Sequence, residues 1–238
     1  MLNPSEVDRL LAIVAHPDDV DFGSAGTIAT LTSSGAHVAY CLVTDGDAGG
    51  SDRTITRAEM ASMRRKEQAA AAAVLGVDDL VFLGHADGRV EATLALRRDI
   101  SRVIRQVRPK VVLCQSPERN YDRIFASHPD HLAAGEAAMC AVYPDARNPF
   151  AFPELLEEGL EPWTVDEVWI SGHPTMTDVV DVTDAVERKF DALRCHASQL
   201  PDPAAMEVRV RQWMASVAKT HGLPDGRFAE GYRVFRAV

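Results

Sequence analysis

The sequence has few cysteines, and no two of them stand in a CxxC spacing. The four, at 41, 114, 140 and 195, argue against a Cys-type zinc site and against a disulfide framework. Cys41, Cys114 and Cys140 lie in the apolar contexts AYCLV, VVLCQ and AAMCAV and read as buried free thiols. No segment approaches the ~18 apolar residues of a spanning helix. The N-terminus lacks a positive region and its apolar run, LLAIVA, is too short for a signal peptide. The expectation is a soluble, cytoplasmic protein with no membrane insertion. Basic charge is also scarce: 25 Lys and Arg face 35 Asp and Glu, a net charge of −10. That balance argues against general nucleic-acid binding, although it leaves room for a local basic patch facing an anionic substrate. Finally, no GxGxxG loop follows the first apolar run. Two carboxylates stand where a dinucleotide phosphate would bind, which argues against a non-catalytic Rossmann-type binding module.

What is present is 46% hydrophobic residues, enough to build a core, in a length that suits one α/β domain over 1–238. Short apolar runs at 10–15, 37–44, 80–84, 110–116 and 165–172 read as strands, with a further short strand at 179–182. Helical patterns fall between and after them, at 26–33, 57–75, 94–107, 131–142, 184–198 and 206–218. Continuous apolar strands alternating with helices predict a mostly parallel sheet with helices on both faces. Such sheets place their sites at the C-terminal strand ends, which singles out 16–23, 45–52 and 116–131.

The first of these reads AHPDDVDFG. A histidine and two adjacent aspartates directly after a strand offer one metal ligand pair and one free carboxylate. The same aspartates would also serve as helix caps. The third place reads SHPDH, with His128 and His131 on one face if a helix begins there. Two surface histidines at a helix start would look alike. Together, the segments supply His, Asp and His ligands and an open fourth position, the pattern of a catalytic zinc site.

Several segments, in order, carry a family resemblance. AHPDD (15–19), Arg64 with Glu67 and Leu75-Gly76, FLGHADG (82–88), SHPDH (127–131) and KFDALRCHASQ (189–199) resemble the PIG-L/LmbE family of zinc-dependent N-acetylglucosaminyl deacetylases. They span most of the chain. The resemblance implies a Rossmann-like α/β fold and hydrolysis of an N-acetylated amino sugar or its conjugate. It implies a Zn²⁺ ion, with Fe²⁺ or Co²⁺ acceptable to the same ligands. His16, Asp19 and His131 match the metal ligands, and Asp18 matches the general base. His128 matches a residue that, protonated, stabilises the oxyanion; Asp130 matches one that orients a catalytic histidine. Arg64, Asp87 and His196 match positions near the substrate. A homo-oligomer is also implied.

Two departures bear on the substrate. Val20 stands where many members have Glu, and the segment 147–162 lies outside the motif set. An amidase acting on a thiol conjugate, similar to the mycothiol-conjugate amidases, is the alternative enzyme. Asp45 and Asp47 read as loop formers, while Asp122 and Arg123 could line the pocket. His37, His85, His173 and His221 have no partner motif and read as structural or surface residues.

Overall fold

Seven strands form one sheet in the computed structural model, which describes residues 1–237. They are β1 (Arg9–Val14), β2 (His37–Thr44), β3 (Asp79–His85), β4 (Val111–Gln115), β5 (Glu167–Ser171), β6 (Asp178–Asp181) and β7 (Ala229–Arg236). Their order is β3-β2-β1-β4-β5-β7-β6. The pairs from β3 through β5 are parallel, and β7 runs antiparallel to both β5 and β6. The helices are α1 (Asp19–Ser33), α2 (Arg57–Val74), α3 (Leu94–Val107), α4 (Pro129–Cys140), α5 (Pro153–Glu157), α6 (Val186–Arg194) and α7 (Pro203–Thr220).

β1 explains why helices cover both faces. Its side chains alternate between sides of the sheet, and both sets are apolar. Leu10, Ala12 and Val14 join a cluster with residues of α1, α2, α6 and α7. Leu11 and Ile13 join another with residues of α3 and α4. The chain leaves β1 toward β2 and β3 on one side and returns through β4 and β5 on the other. The crevice between β1 and β4 is therefore a topological switch point, where open α/β sheets bind ligands.

Four expectations need correction. The first helix begins at Asp19, not at residue 26. α4 begins at Pro129, not 131, which makes His128 its N-cap and puts His131 in its first turn. The helix expected over 184–198 ends at Arg194, leaving His196 beyond it. The tail contains β7 as well as α7, and this strand sits between β5 and β6. Among the described residues, no helix is long and apolar enough to cross a membrane.

The early start of α1 has a specific physical support. Gly23 and Gly26 are poor helix formers, so the segment does not read as helix. The amides of Gly26 and Thr27 donate to the Glu230 carboxylate, at 3.0 and 2.7 Å. In a regular helix they would donate to the carbonyls of Phe22 and Gly23. Lys189 Nζ donates to the carbonyls of Asp21 and Phe22, at 2.9 and 2.7 Å, and pairs with Glu230 at 2.7 Å. Both side chains are fully buried. A Lys–Glu pair from α6 and β7 thus grips the backbone of the helix that carries Asp19.

Candidate metal centre and active site

The bend after β1 is fastened from both neighbours. Ala15 N donates to Gln115 Oε1 at the end of β4, at 2.8 Å. Ala15 O accepts from Thr44 N and Thr44 Oγ1 at the end of β2, at 2.8 and 2.9 Å. Asp18 then adopts φ +83°, a left-handed conformation that costs a non-glycine residue about 1–3 kcal/mol. Surrounding bonds hold it there. Asp18 N donates to Gln68 Oε1 at 2.8 Å, and Pro17 O accepts from Arg64 Nη2 at 2.6 Å. The turn directs Asp18 and Asp19, adjacent in sequence, to different partners.

Asp19 faces the two imidazoles. Its Oδ2 lies 3.3 Å from His16 Nδ1 and its Oδ1 lies 3.1 Å from His131 Nε2. The two ring nitrogens are themselves 3.2 Å apart. Four tetrahedral donors at zinc bond lengths of 2.0–2.1 Å stand about 3.3 Å from one another. The contacts that join His16, Asp19 and His131 therefore lie close to that donor spacing, with one Asp19 oxygen facing each imidazole. The nitrogens of His16, His128 and His131 also group within 4.8 Å, as do His16, Asp87 and Asp130.

The third group has a different role. His16 Nε2 lies 3.0 Å from Asp87 Oδ1 and 3.3 Å from Asp130 Oδ2. Asp130 also accepts from the amides of Gly88 and Val90, at 2.7 and 3.2 Å, and Asp87 accepts from Ala48 N at 2.9 Å. These backbone bonds aim both carboxylates at His16. A proton on Nε2 then leaves the Nδ1 lone pair facing Asp19 and His131, as metal-binding histidines require. Asp130 was expected to orient a catalytic histidine; its carboxylate instead meets His16, while its backbone amide donates to His128 Nδ1 at 3.2 Å.

The electrostatics favour a cation. Against the downward pull of burial, bonds to Asp19 and Asp87 push the His16 imidazole up to about 11. His131 is likewise raised by Asp19 against its burial. Burial works against ionised Asp19, yet the two histidines hold it well below the usual carboxylate range. Protons held this firmly among carboxylates occupy a place suited to a divalent ion, which releases them on binding.

Asp18 lies on the other side of the turn. Burial, and then the charge of Asp19, push its carboxyl up to about 7, with Arg64 pulling the other way. Its Oδ2 is 3.2 Å from Arg64 Nη2. His128 is lowered by burial and by the charge of His16. Because its Nδ1 accepts from the backbone, the neutral ring carries its proton on Nε2. The neutral ring, not the protonated one, is thus the expected donor.

The remaining expected residues separate. Asp87 and Arg64 line a cleft of about 290 Å³ together with His16, Asp18, Asp19 and His128. Arg64 is largely spent within the protein, since it also donates to Gly46 O at 3.2 Å. Asp45 and Asp47 form the loop as expected, pairing with Arg65 and Arg57 at 2.7 and 2.6 Å. His196 does not reach the cleft surface. It is fully buried, and its Nε2 meets Asp21 Oδ2 at 2.8 Å. Asp21 Oδ2 also accepts from Gln68 Nε2 at 2.9 Å, so His196 supports Asp18 from behind through Gln68.

Sequence reasoning missed Gln68, although it follows Arg64 by four residues and so shares its helix face. It also missed the C-terminal wall. A second cavity, of about 590 Å³, shares Asp19, Phe125 and His131 with the first. α7 contributes Arg209, Val210 and Trp213 to it, and β7 contributes Gly231. The ligand triangle thus stands where a polar cleft meets a larger, more apolar one.

An open α/β sheet with His/Asp/His donors at its switch point defines the class, a Rossmann-like α/β protein with a candidate metal centre. Residues 11–142 match the PIG-L family model, described as GlcNAc-PI de-N-acetylase, and the chain belongs to that family. It is similar to the diacetylchitobiose deacetylase of Thermococcus kodakarensis, 34% identical over 96% of this chain and 84% of that protein. It is 30% identical to a probable N-acetyl-α-D-glucosaminyl L-malate deacetylase 2 of Bacillus anthracis, over 80% of this chain and 81% of that one. Among solved structures it resembles the N,N'-diacetylchitobiose deacetylase of Pyrococcus horikoshii complexed with the inhibitor MPG. That match has a TM-score of 0.90 at 30% identity and covers 99% of this chain and 86% of the other.

Proposed function

We propose that this chain is a metal-dependent N-deacetylase that hydrolyses the acetamide of an N-acetylated amino sugar or its conjugate. The observation that carries the reading is the convergence of His16, Asp19 and His131, with contacts of 3.1 to 3.3 Å between their donor groups, beside the separately held carboxyl of Asp18. The names of the relatives support the reaction class. His16, Asp19 and His131 would hold the ion, Zn²⁺ in the first instance, with Fe²⁺ or Co²⁺ compatible with the same donors. When bound, it supplies Lewis-acid polarisation of the amide carbonyl and makes water more acidic.

The chain's own groups do the rest. Asp18, with its carboxyl near 7, takes a proton from the attacking water at neutral pH. Arg64 and Gln68 fix it in place for that transfer. His128 offers its Nε2–H to the developing oxyanion, a contact typically worth about 3–4 kcal/mol in the transition state. Asp18 then returns its proton to the departing amine, because neutral His128 has no surplus proton to give. Asp87, at the wall of the polar cleft, would meet a sugar hydroxyl, and Arg64, whose Nη donors are held by Pro17, Gly46 and Asp18, would shape that wall. One domain over 1–238 performs the reaction, supported by the lining that α7 and β7 contribute to the cavity.

Acetate release from a panel of N-acetylated amino sugars, with added zinc and with a chelator, tests the reading. Zinc-dependent release from at least one member is expected. Release from none, with the metal shown to be bound, would overturn it.

A further inference from the structure

The two cavities meet at the candidate ligands, sharing Asp19, Phe125 and His131. The carbonyl carbon of an amide is planar and carries three groups: the oxygen, the nitrogen and the acyl chain. In the proposed reaction Asp18 returns its proton to the departing nitrogen, and His128 meets the oxygen. Both residues line the polar cleft, and neither lines the larger cavity. The nitrogen, with the sugar it carries, therefore belongs to the polar side. The acyl chain is the group that remains. It points away from Asp18 and His128, past Asp19 and His131, into the larger cavity.

That cavity is built for more than a methyl group. Its volume of about 590 Å³ falls in the range that holds a whole small molecule. An acetyl methyl, about the size of one water molecule, would leave most of it empty. Phe22, Val210 and Trp213 supply apolar walls. Arg123 closes the wall beside them by its faces, with its guanidinium carbon 5.1 Å from the Phe125 ring centre and 5.3 Å from that of Trp213. Gly23 gives an independent sign. It lies inside α1, where a glycine weakens the helix. At Gly26 packing explains the glycine, since a Cβ there would meet Val182 at 2.7 Å. At Gly23 a Cβ would meet Ser171 alone, at 3.8 Å, an ordinary contact. Gly23 and Ser171 both line the larger cavity, so the missing side chain keeps that wall recessed.

Resting on the deacetylase reading above, we propose that the larger cavity is an acyl-chain pocket and that the chain removes straight alkanoyl groups longer than acetyl from the nitrogen of an amino sugar. The bonds balance as in any amide hydrolysis. The oxygen of water forms the new C–O bond, and the C–N bond breaks with its electron pair going to nitrogen. The nitrogen takes the proton that Asp18 held. A free alkanoate and the amino sugar leave.

The test compares kcat/KM of the zinc-loaded protein for N-acetyl-, N-butanoyl- and N-hexanoylglucosamine, read as alkanoate released. Each methylene that leaves water should raise the value by roughly 4-fold, so hexanoyl should exceed acetyl by roughly 10-fold or more. Gly23→Leu puts a stronger helix former in α1 and a side chain into the pocket, and it should shrink the hexanoyl-to-acetyl ratio toward unity. Trp213→Ala removes an apolar wall and should shrink the same ratio, and thermal unfolding shows that each variant is folded. Calorimetric titration of the three compounds into chelator-treated wild type, where nothing turns over, should give the same ranking of affinity. Efficiency that is flat or falls with chain length, or a ratio unchanged in the folded variants, would overturn the acyl pocket while leaving the deacetylase reading intact. Release from none of the compounds would count against the deacetylase reading, and the metal-free titration would still decide on the pocket.

Discussion

Asp18 and Arg64 meet at 3.2 Å in a nearly dry setting, and the same guanidinium ties together the carbonyls of Pro17 and Gly46. One side chain on α2 therefore braces the loops after β1 and β2 and sets the charge environment of the proposed base. An aspartate raised by burial and by a neighbouring carboxylate is partly restrained by this cation.

Removing the base is the first consequence. Asp18→Asn keeps the shape of the turn and loses the proton acceptor. Turnover should fall by roughly 10²- to 10⁴-fold. Metal content should stay close to that of the wild type, because Asp19, not Asp18, is the proposed ligand. Near-normal turnover in a metal-loaded Asp18→Asn protein would remove Asp18 from the proposed role.

The Arg64 contact sets a pH dependence with a definite sign. The base works when deprotonated, so activity is present above its pKa and is lost as pH falls through it. Arg64 lowers that pKa. Arg64→Gln should move the acid limb of the kcat/KM profile to higher pH. A limb that stays in place, or moves down, would show that Asp18 is not the group responsible.

In the proposed site Asp130 would act on the ion through His16, whose Nε2 it faces at 3.3 Å. Asp130→Asn removes the charge facing His16 Nε2 and keeps the side-chain shape, with an oxygen that can accept from one of the two amides, Gly88 and Val90, that Asp130 holds. Metal affinity should fall by roughly 10- to 100-fold, the usual effect of losing such a partner. Competition with a chelator of known affinity measures it. Unchanged affinity would mean that the contact does not tune the ligand.

The buried Lys189–Glu230 pair makes a stability prediction. Lys189→Met strands a fully buried carboxylate and two carbonyls of α1. The cost should be about 3–5 kcal/mol. In a chain of this size that lowers Tm by roughly 10 °C. The double variant Lys189→Met with Glu230→Gln should lose less than the two single losses added together. Thermal unfolding of the set decides, and strict additivity would contradict the pairing.

The parallel half of the fold was legible because buried strands read as continuous apolar runs, as in LLAIVA and HVAYCLVT. The candidate ligands were legible because they follow those strands in short motifs. β7 was not, since AEGYRVFR mixes a glycine with charges and its pairing with β5 depends on residues some 60 positions away. The start of α1 was hidden for a similar reason: its glycine-containing first turns are held by Lys189 and Glu230, far along the chain. His196 looked like a site residue from its motif, but its full burial behind Asp21 is a tertiary fact. The second cavity was legible only at Arg123, which was expected at a pocket wall and does line it; its other walls come from α7 and β7, which share no sequence pattern with that loop.

The central claim is that His16, Asp19 and His131 together hold a catalytic metal ion. Elemental analysis of the purified chain and of His131→Ala, paired with acetate release from N-acetylated amino sugars, tests it most directly. About one divalent ion per wild-type chain is expected, as for a three-ligand catalytic site, with loss of both ion and activity in His131→Ala. Acetate release by a chain shown to carry no metal, or full metal content and activity in His131→Ala, would contradict it.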